Sequence, residues 1–296
     1  MKIEALTPKS ALPKRVWGYL LQRFPPLAYT ILVGLFAGSA FGLAERLGGG
    51  ATGLATEVSA ALVVLLVFLH LRIMDEHKDF DVDCEAYPER LLSRRVVTLP
   101  LLRNLGLVAV ALELLLVLSI SQSAVLAWLA CLVFTLLMRV EFGVGQWLNR
   151  HLVIYAVTHN PIVGLLAGFL WVCAEAPLGI ELWLYIAIVS VGSLAFEIGR
   201  KIRLEHEEVS GVESYSSVLG KRAADRLLIG LRLLTGVGLF LLMTMLGSPQ
   251  LGGVALGLQV VAGGWLWPGT RGAKGTEGVA TATLLLDFLL IWVLVW

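Results

Sequence analysis

"ALVVLLVFLHLRIMDEHKDFDVD", Ala61 to Asp83, changes character halfway along. The part up to Ile73 is almost wholly apolar, and the last ten residues, Met74 to Asp83, carry five acids. A helix crossing a bilayer needs about 20 mostly apolar residues, and 57–74 reads as such a span. A solvated loop needs only modest polarity. Dense negative charge where a helix leaves the membrane therefore reads as a site for a cation.

The apolar pattern recurs along the chain. Of 296 residues, 57% are hydrophobic and 15% charged, with a mean hydropathy of +0.82; a soluble domain carries nearer 25% charge. Apolar runs and their breakers predict nine spans, near 27–43, 57–74, 101–120, 122–140, 152–175, 181–200, 226–246, 250–267 and 279–296. The expected fold class is an all-α membrane protein with nine transmembrane helices in one bundle. Residues 1–26 are basic and precede a long apolar run, which reads as an uncleaved first span rather than a signal peptide. Cys131 and Cys173 fall inside spans and Cys84 in the acidic loop, with no zinc or disulfide spacing. A net charge of +1 points to no nucleic acid partner.

Lys and Arg gather in alternate loops. Lys2, Lys9, Lys14, Arg15 and Arg23 precede span one; Arg72, Lys78, Arg90, Arg94, Arg95 and Arg103 surround the second loop. Arg139 and Arg150 lie between spans four and five. Arg200, Lys201, Arg203, Lys221, Arg222 and Arg226 follow span six, and Arg271 and Lys274 follow span eight. The opposite side has Arg46. The positive-inside rule then places the N-terminus and the even-to-odd loops in the cytoplasm. The expected location is a multi-pass integral protein of a bacterial inner membrane.

The two long cytoplasmic loops carry the chemistry. Asp75, Asp79 and Asp83 are spaced i, i+4, i+8 and would line one helical face; Asp81 and Glu76 lie off it, though Glu76 and Asp83, at i and i+7, could share an edge. Carboxylates so close repel unless a cation sits among them. Hard oxygen ligands suit Mg2+, which is commonly held by one or two carboxylates plus substrate phosphates. A solvated acidic helix end is the alternative reading. The second loop, "FEIGRKIRLEHEEVSGVESYSSVLGKRAADR", sets Arg200, Lys201 and Arg203 before Glu205, Glu207 and Glu208. Arg offers a planar fork and Lys a point charge to phosphate; the alternative is a positive anchor for span six.

Together the two loops resemble those of the UbiA superfamily of intramembrane prenyltransferases. The family's first motif, Asn-Asp-x-x-Asp-x-x-x-Asp after the second span, is matched by Asp75, Glu76, Asp79 and Asp83, and Arg90 falls at the Arg of the following segment. Its second motif, Asp-x-x-x-Asp, precedes a Gly-x-x-Thr…Gly tail that Gly211, Ser214 and Gly220 fit. Here Arg200, Lys201 and Arg203 stand in the aspartate region, and Glu207 and Glu208 are the expected replacements. A Lys-Arg pair before the Thr-x-x-Pro of span five is replaced by Tyr155 and Ala156, with Thr158 and Pro161 kept.

The resemblance implies one UbiA-like domain over 1–296, built around a lipid-accessible cavity. It implies Mg2+-dependent transfer of an isoprenyl group from a prenyl diphosphate to a lipophilic acceptor among membrane lipids. On that reading Asp75, Asp79 and Asp83 are catalytic, and with Glu76, Glu207 and Glu208 they hold metal. Arg72, Lys78, Arg90, Arg200, Lys201, Arg203, Tyr155 and Asn160 bind substrate. Terpene cyclisation, phosphoribosyl transfer to a polyprenyl lipid, and non-enzymatic lipid binding or transport are the alternatives. A transporter should show polar residues at mid-membrane in broken helices, whereas charge here gathers at one face.

Elsewhere, Glu113 and Asp287 are carboxylates inside apolar runs, where they must be paired or face a cavity. His70 is expected to be structural. His159-Asn160-Pro161 predicts a kink in span five. Most tryptophans flank spans as interfacial anchors, with Trp147 a weak candidate for the prenyl pocket.

Overall fold

The computed structural model describes residues 3–50, 52–267 and 271–295, which hold helices and no strand. Lys2 and Trp296, the latter closing the ninth expected span, lie outside the described residues. In chain order the helices are α1 (Leu12–Arg23), α2 (Pro26–Arg46), α3 (Leu54–Lys78), α4 (Phe80–Ala86), α5 (Leu99–Leu118), α6 (Gln122–Arg139) and α7 (Gly145–Leu148). They continue with α8 (Leu152–His159), α9 (Pro161–Cys173), α10 (Ile180–Gly199), α11 (Tyr215–Leu219), α12 (Lys221–Met245), α13 (Pro249–Leu266) and α14 (Ala273–Val295).

Eight spans are long and apolar enough to cross a membrane: α2, α3, α5, α6, the pair α8–α9, α10, α12 and α14. This is an integral membrane protein. The expected span 250–267 is α13, an 18-residue helix diluted by Gln250, Gln259 and five glycines. It packs along α12, where a Cβ on Gly252 would stand 3.0 Å from the Phe240 backbone. The count of nine therefore turns on α13 alone.

Local chemistry sets the turns. Ser121 caps α6, its Oγ accepting from the Ala124 N–H at 3.1 Å, which closes the tight α5–α6 hairpin. Gly247, at φ 80°, takes the left-handed position between α12 and α13, and Pro249 opens the next helix. Span five breaks where expected: α8 stops at His159 and α9 starts at Pro161, which has no N–H to continue the ladder. Asn160 bridges the break, donating through Nδ2 to the Ser190 carbonyl and accepting from Ser193 Oγ, both at 2.8 Å.

The core joins α2, α3, α9, α10 and α14, with Phe36, Trp171 and Tyr185 fully buried. Outward positions such as Leu107, Leu115, Leu126 and Val133 are exposed and apolar, as a lipid-facing surface requires. Both carboxylates placed inside apolar runs are buried and paired. Glu113 takes His70 Nδ1 at 2.7 Å and the Trp128 indole at 2.9 Å. Asp287 takes Arg232 at 2.8 Å and Gln259 at 2.6 Å, tying α12, α13 and α14 together. Removing one partner of such a buried pair costs about 3–5 kcal/mol.

Candidate functional site at the end of the helical bundle

Asp79 is the hinge of the first loop, ending α3 and preceding α4 with φ −95° and ψ 11°. Its N–H donates to the Asp75 carbonyl at 2.9 Å, and the Asp83 N–H donates to the Asp79 carbonyl at 2.8 Å. The three aspartates therefore stay one turn apart, but the expected single face is bent at Asp79.

Arginines divide the acidic cluster. Glu76 is 1% exposed, and its Oε1 accepts from Arg23 at 2.6 Å and from Arg72 at 2.8 and 3.0 Å. Asp83 Oδ2 is held by Arg90 and, at 3.4 Å, by Arg23. Arg90 also lies 3.6 Å over the Tyr87 ring. Asp75 and Asp79 are exposed, and their carboxylates have no hydrogen-bond or ion-pair partner among the described residues. Asp75 is open to water yet has protein on every side, as a carboxylate on an inner wall would be. The Asp79 carboxyl is pushed above the usual carboxylate range by the protein crowding it, and the Asp75 and Asp83 charges push the same way.

Lys78 lies between the two open carboxylates in sequence. Its ammonium reaches the Tyr155 hydroxyl, lies 4.5 Å from the centre of that ring, and pairs with Glu141 at 3.0 Å. Tyr155 stacks on His159 with ring centres 4.0 Å apart. A recess of about 20 Å³ opens here between α3, α6 and α8, with Asp75, Lys78, Arg139 and His159 on its wall. Trp147 is half exposed, sits against His151, and is not on that wall.

The second loop turns a cation toward the first. Arg200 acts on Asp75 and on Arg72, and Tyr29 of α2 lies in the fields of all three. Glu197 pairs with Arg200 at 2.6 Å and Lys201 at 2.9 Å, and its charge holds the Arg200 pKa above the usual arginine range. Arg200 and Arg203, three residues apart, do not share a helical face, because α10 ends at Gly199. That glycine lets α10 press on α14: a Cβ there would meet the Ala280 Cβ at 2.5 Å. Beyond it the Arg203 N–H donates to Ser216 Oγ at 2.7 Å.

The glutamates of this loop are engaged locally. Glu207 accepts from the N–H groups of Leu204 at 2.9 Å and Ala273 at 2.8 Å, so it caps the start of α14. Those two bonds hold its carboxyl below the usual range. Glu208 Oε1 accepts from Ser214 Oγ at 2.7 Å. Ser214 caps α11, and Gly211 and Gly220 supply the left-handed turns beside it, at φ 79° and 82°.

Among the described residues no group of three or more His, Cys, Asp or Glu could hold a metal ion by itself. Of the six expected ligands, the structure leaves Asp75 and Asp79 open, ties Glu76 and Asp83 to arginines, and engages Glu207 and Glu208 with backbone and serine. Of the expected substrate contacts, Arg72, Lys78, Tyr155 and Arg200 lie around the open pair, whereas Lys201 is paired with Glu197 and Asn160 is spent on α10. Two contributors were missed. Arg23 looked like one more basic residue ahead of span one. Glu141 sat in a short connection whose signal was the nearby Gly143 and Gly145.

The sequence matches no family model and no curated protein. Its structure resembles solved structures at low identity. A UbiA homologue from Aeropyrum pernix K1 superposes with a TM-score of 0.69 at 17% identity, over 89% of this chain and 97% of that one. A UbiA homologue from Archaeoglobus fulgidus gives 0.62 at 10% identity, over 94% and 99%. A structure concerned with digeranylgeranylglyceryl phosphate synthase in membranes gives 0.58 at 16%, over 90% and 96%. The chain has the UbiA fold.

Proposed function

We propose that the protein is a membrane prenyltransferase, moving an isoprenyl group from a prenyl diphosphate to a lipophilic acceptor. The observation carrying this reading is the pair of unpartnered carboxylates, Asp75 and Asp79, ringed by Arg72, Lys78 and Arg200 in a bundle with the UbiA fold. The positive-inside pattern puts this end of the bundle in the cytoplasm.

Diphosphate leaves an allylic carbon only when its growing charge is neutralised. Asp75 and Asp79 would hold Mg2+, which supplies Lewis-acid neutralisation of the phosphate oxygens. Two carboxylates suffice for an ion whose remaining ligands are substrate phosphates and water. Arg72 and Arg200 add fixed positive charge, Arg200 through a fork that fits two phosphate oxygens. Lys78 adds a compact charge beside the recess. Glu76, clamped by Arg23 and Arg72, orients Arg72 rather than binding metal. The prenyl chain lies among the apolar helices, and the acceptor attacks the carbon that loses the diphosphate.

The test is to incubate purified protein with a panel of prenyl diphosphates, with and without Mg2+, and to measure diphosphate release and prenylated product. Release that needs both Mg2+ and a lipophilic acceptor supports the reading. No release from any prenyl diphosphate sinks it.

A further inference from the structure

Lys78, the cation nearest the open carboxylates in sequence, is already paired. Its partner, Glu141, comes from the connection between α6 and α7, and three observations show that this contact is built. Glu141 and Phe142 both adopt left-handed backbone, at φ 50° and 54°, a conformation that side-chain-bearing residues rarely take. Phe142 is held edge-on by Phe134 and His159, with ring centres 5.6 and 5.5 Å away. A Cβ at Gly145 would come 1.8 Å from Glu141 Oε2, so the carboxylate folds back into space that only glycine leaves open. Asn149 Nδ2 also reaches Oε2, at 3.4 Å.

A carboxylate presents the same chemistry to an ammonium as a phosphate oxygen does. We propose that Glu141 is a positioning residue acting through Lys78: it holds the ammonium at the recess in the empty site and yields it to the incoming diphosphate. The inference rests on the prenyl diphosphate reading above. Arriving diphosphate must displace Glu141, and departing diphosphate is replaced by it. Glu141 therefore weakens diphosphate binding and speeds product release.

Calorimetric titration of inorganic pyrophosphate with Mg2+ into the full-length protein tests this. Glu141→Gln should tighten binding roughly three- to tenfold, the scale of a partly exposed ion pair. Gly145→Ala, which displaces the carboxylate without removing it, should shift binding the same way. With a prenyl diphosphate, Glu141→Gln should lower KM and also kcat as release slows, whereas loss of a merely structural contact raises KM. If wild type binds pyrophosphate and both variants bind it no more tightly, the inference falls alone. If wild type binds none, it falls together with the prenyl diphosphate reading.

Discussion

The loops after α3 and after α10 contain similar numbers of charges and use them in opposite ways. In the first, Arg23, Arg72 and Arg90 neutralise Glu76 and Asp83, while Asp75, Asp79 and the outlying Asp81 stay open. In the second, Glu197 takes two cations, Glu207 caps a helix and Glu208 holds a serine. Acid count is thus a poor guide to metal binding. What matters is which unpartnered carboxylates the fold sets beside the recess and its cations, as it does Asp75.

The strongest way to break this contrast is to remove an open carboxylate. Asp75→Asn and Asp79→Asn should each lower diphosphate release by about 100-fold or more, the scale of losing a group that neutralises transition-state charge. Neither should lower the thermal unfolding temperature. A variant that keeps full turnover would make the cluster a solvated helix end.

Arg200→Gln should weaken prenyl diphosphate binding about tenfold or somewhat more, the low end of the roughly 1.5–3 kcal/mol of a hydrogen bond to a charged group. The measurement is KM at saturating Mg2+. An unchanged KM would confine Arg200 to anchoring α10.

Glu207→Ala is the converse case. It should cost about 1 kcal/mol of stability through the lost cap and leave turnover unchanged at a temperature where the variant is folded. Loss of turnover in a stable variant would put a metal ligand in the second loop.

The smallest effect is a pH dependence. The folded protein holds the Asp79 proton more tightly than the unfolded chain does. The stability this contributes is complete below the ordinary aspartate pKa of about 3.9, and it is lost as pH rises through the raised value. Without Mg2+, the unfolding temperature of Asp79→Asn should therefore gain on wild type as pH rises across that window. Added Mg2+ should reverse the gain. A difference that shrinks with rising pH would show that neither burial nor neighbouring charge holds the proton on Asp79.

Much of the architecture was legible because a bilayer demands long apolar runs and tolerates few alternatives. Eight spans followed from that demand, and the Pro161 break followed from a missing N–H. α13 was harder, since five glycines and two glutamines lower its apolar signal, although Gly252 and Gly263 serve packing against α12 and Gln259 serves Asp287. The acidic cluster was legible as a cluster, but its division was not. Which carboxylate is free depends on Arg23, some fifty residues upstream, and on a helix break at Asp79 that spacing alone does not reveal. In the second loop, the spacing of Arg200 and Arg203 carries no sign of where α10 stops. The backbone turns away after Gly199, and the resemblance to a metal motif concealed a helix cap at Glu207.

α1 joins the bundle through Arg15 to the Val96 carbonyl, Gln22 to the Leu91 N–H, and Arg23 to Glu76 and Asp83. It contributes no aspartate and crosses no membrane. Yet removing the guanidinium at position 23 would leave Glu76 to Arg72 alone and Asp83 to Arg90 alone. The charge balance of the motif can thus be retuned from outside it. A substitution at position 23 would loosen the hold on two carboxylates of the acidic segment, while every residue of that segment stayed the same.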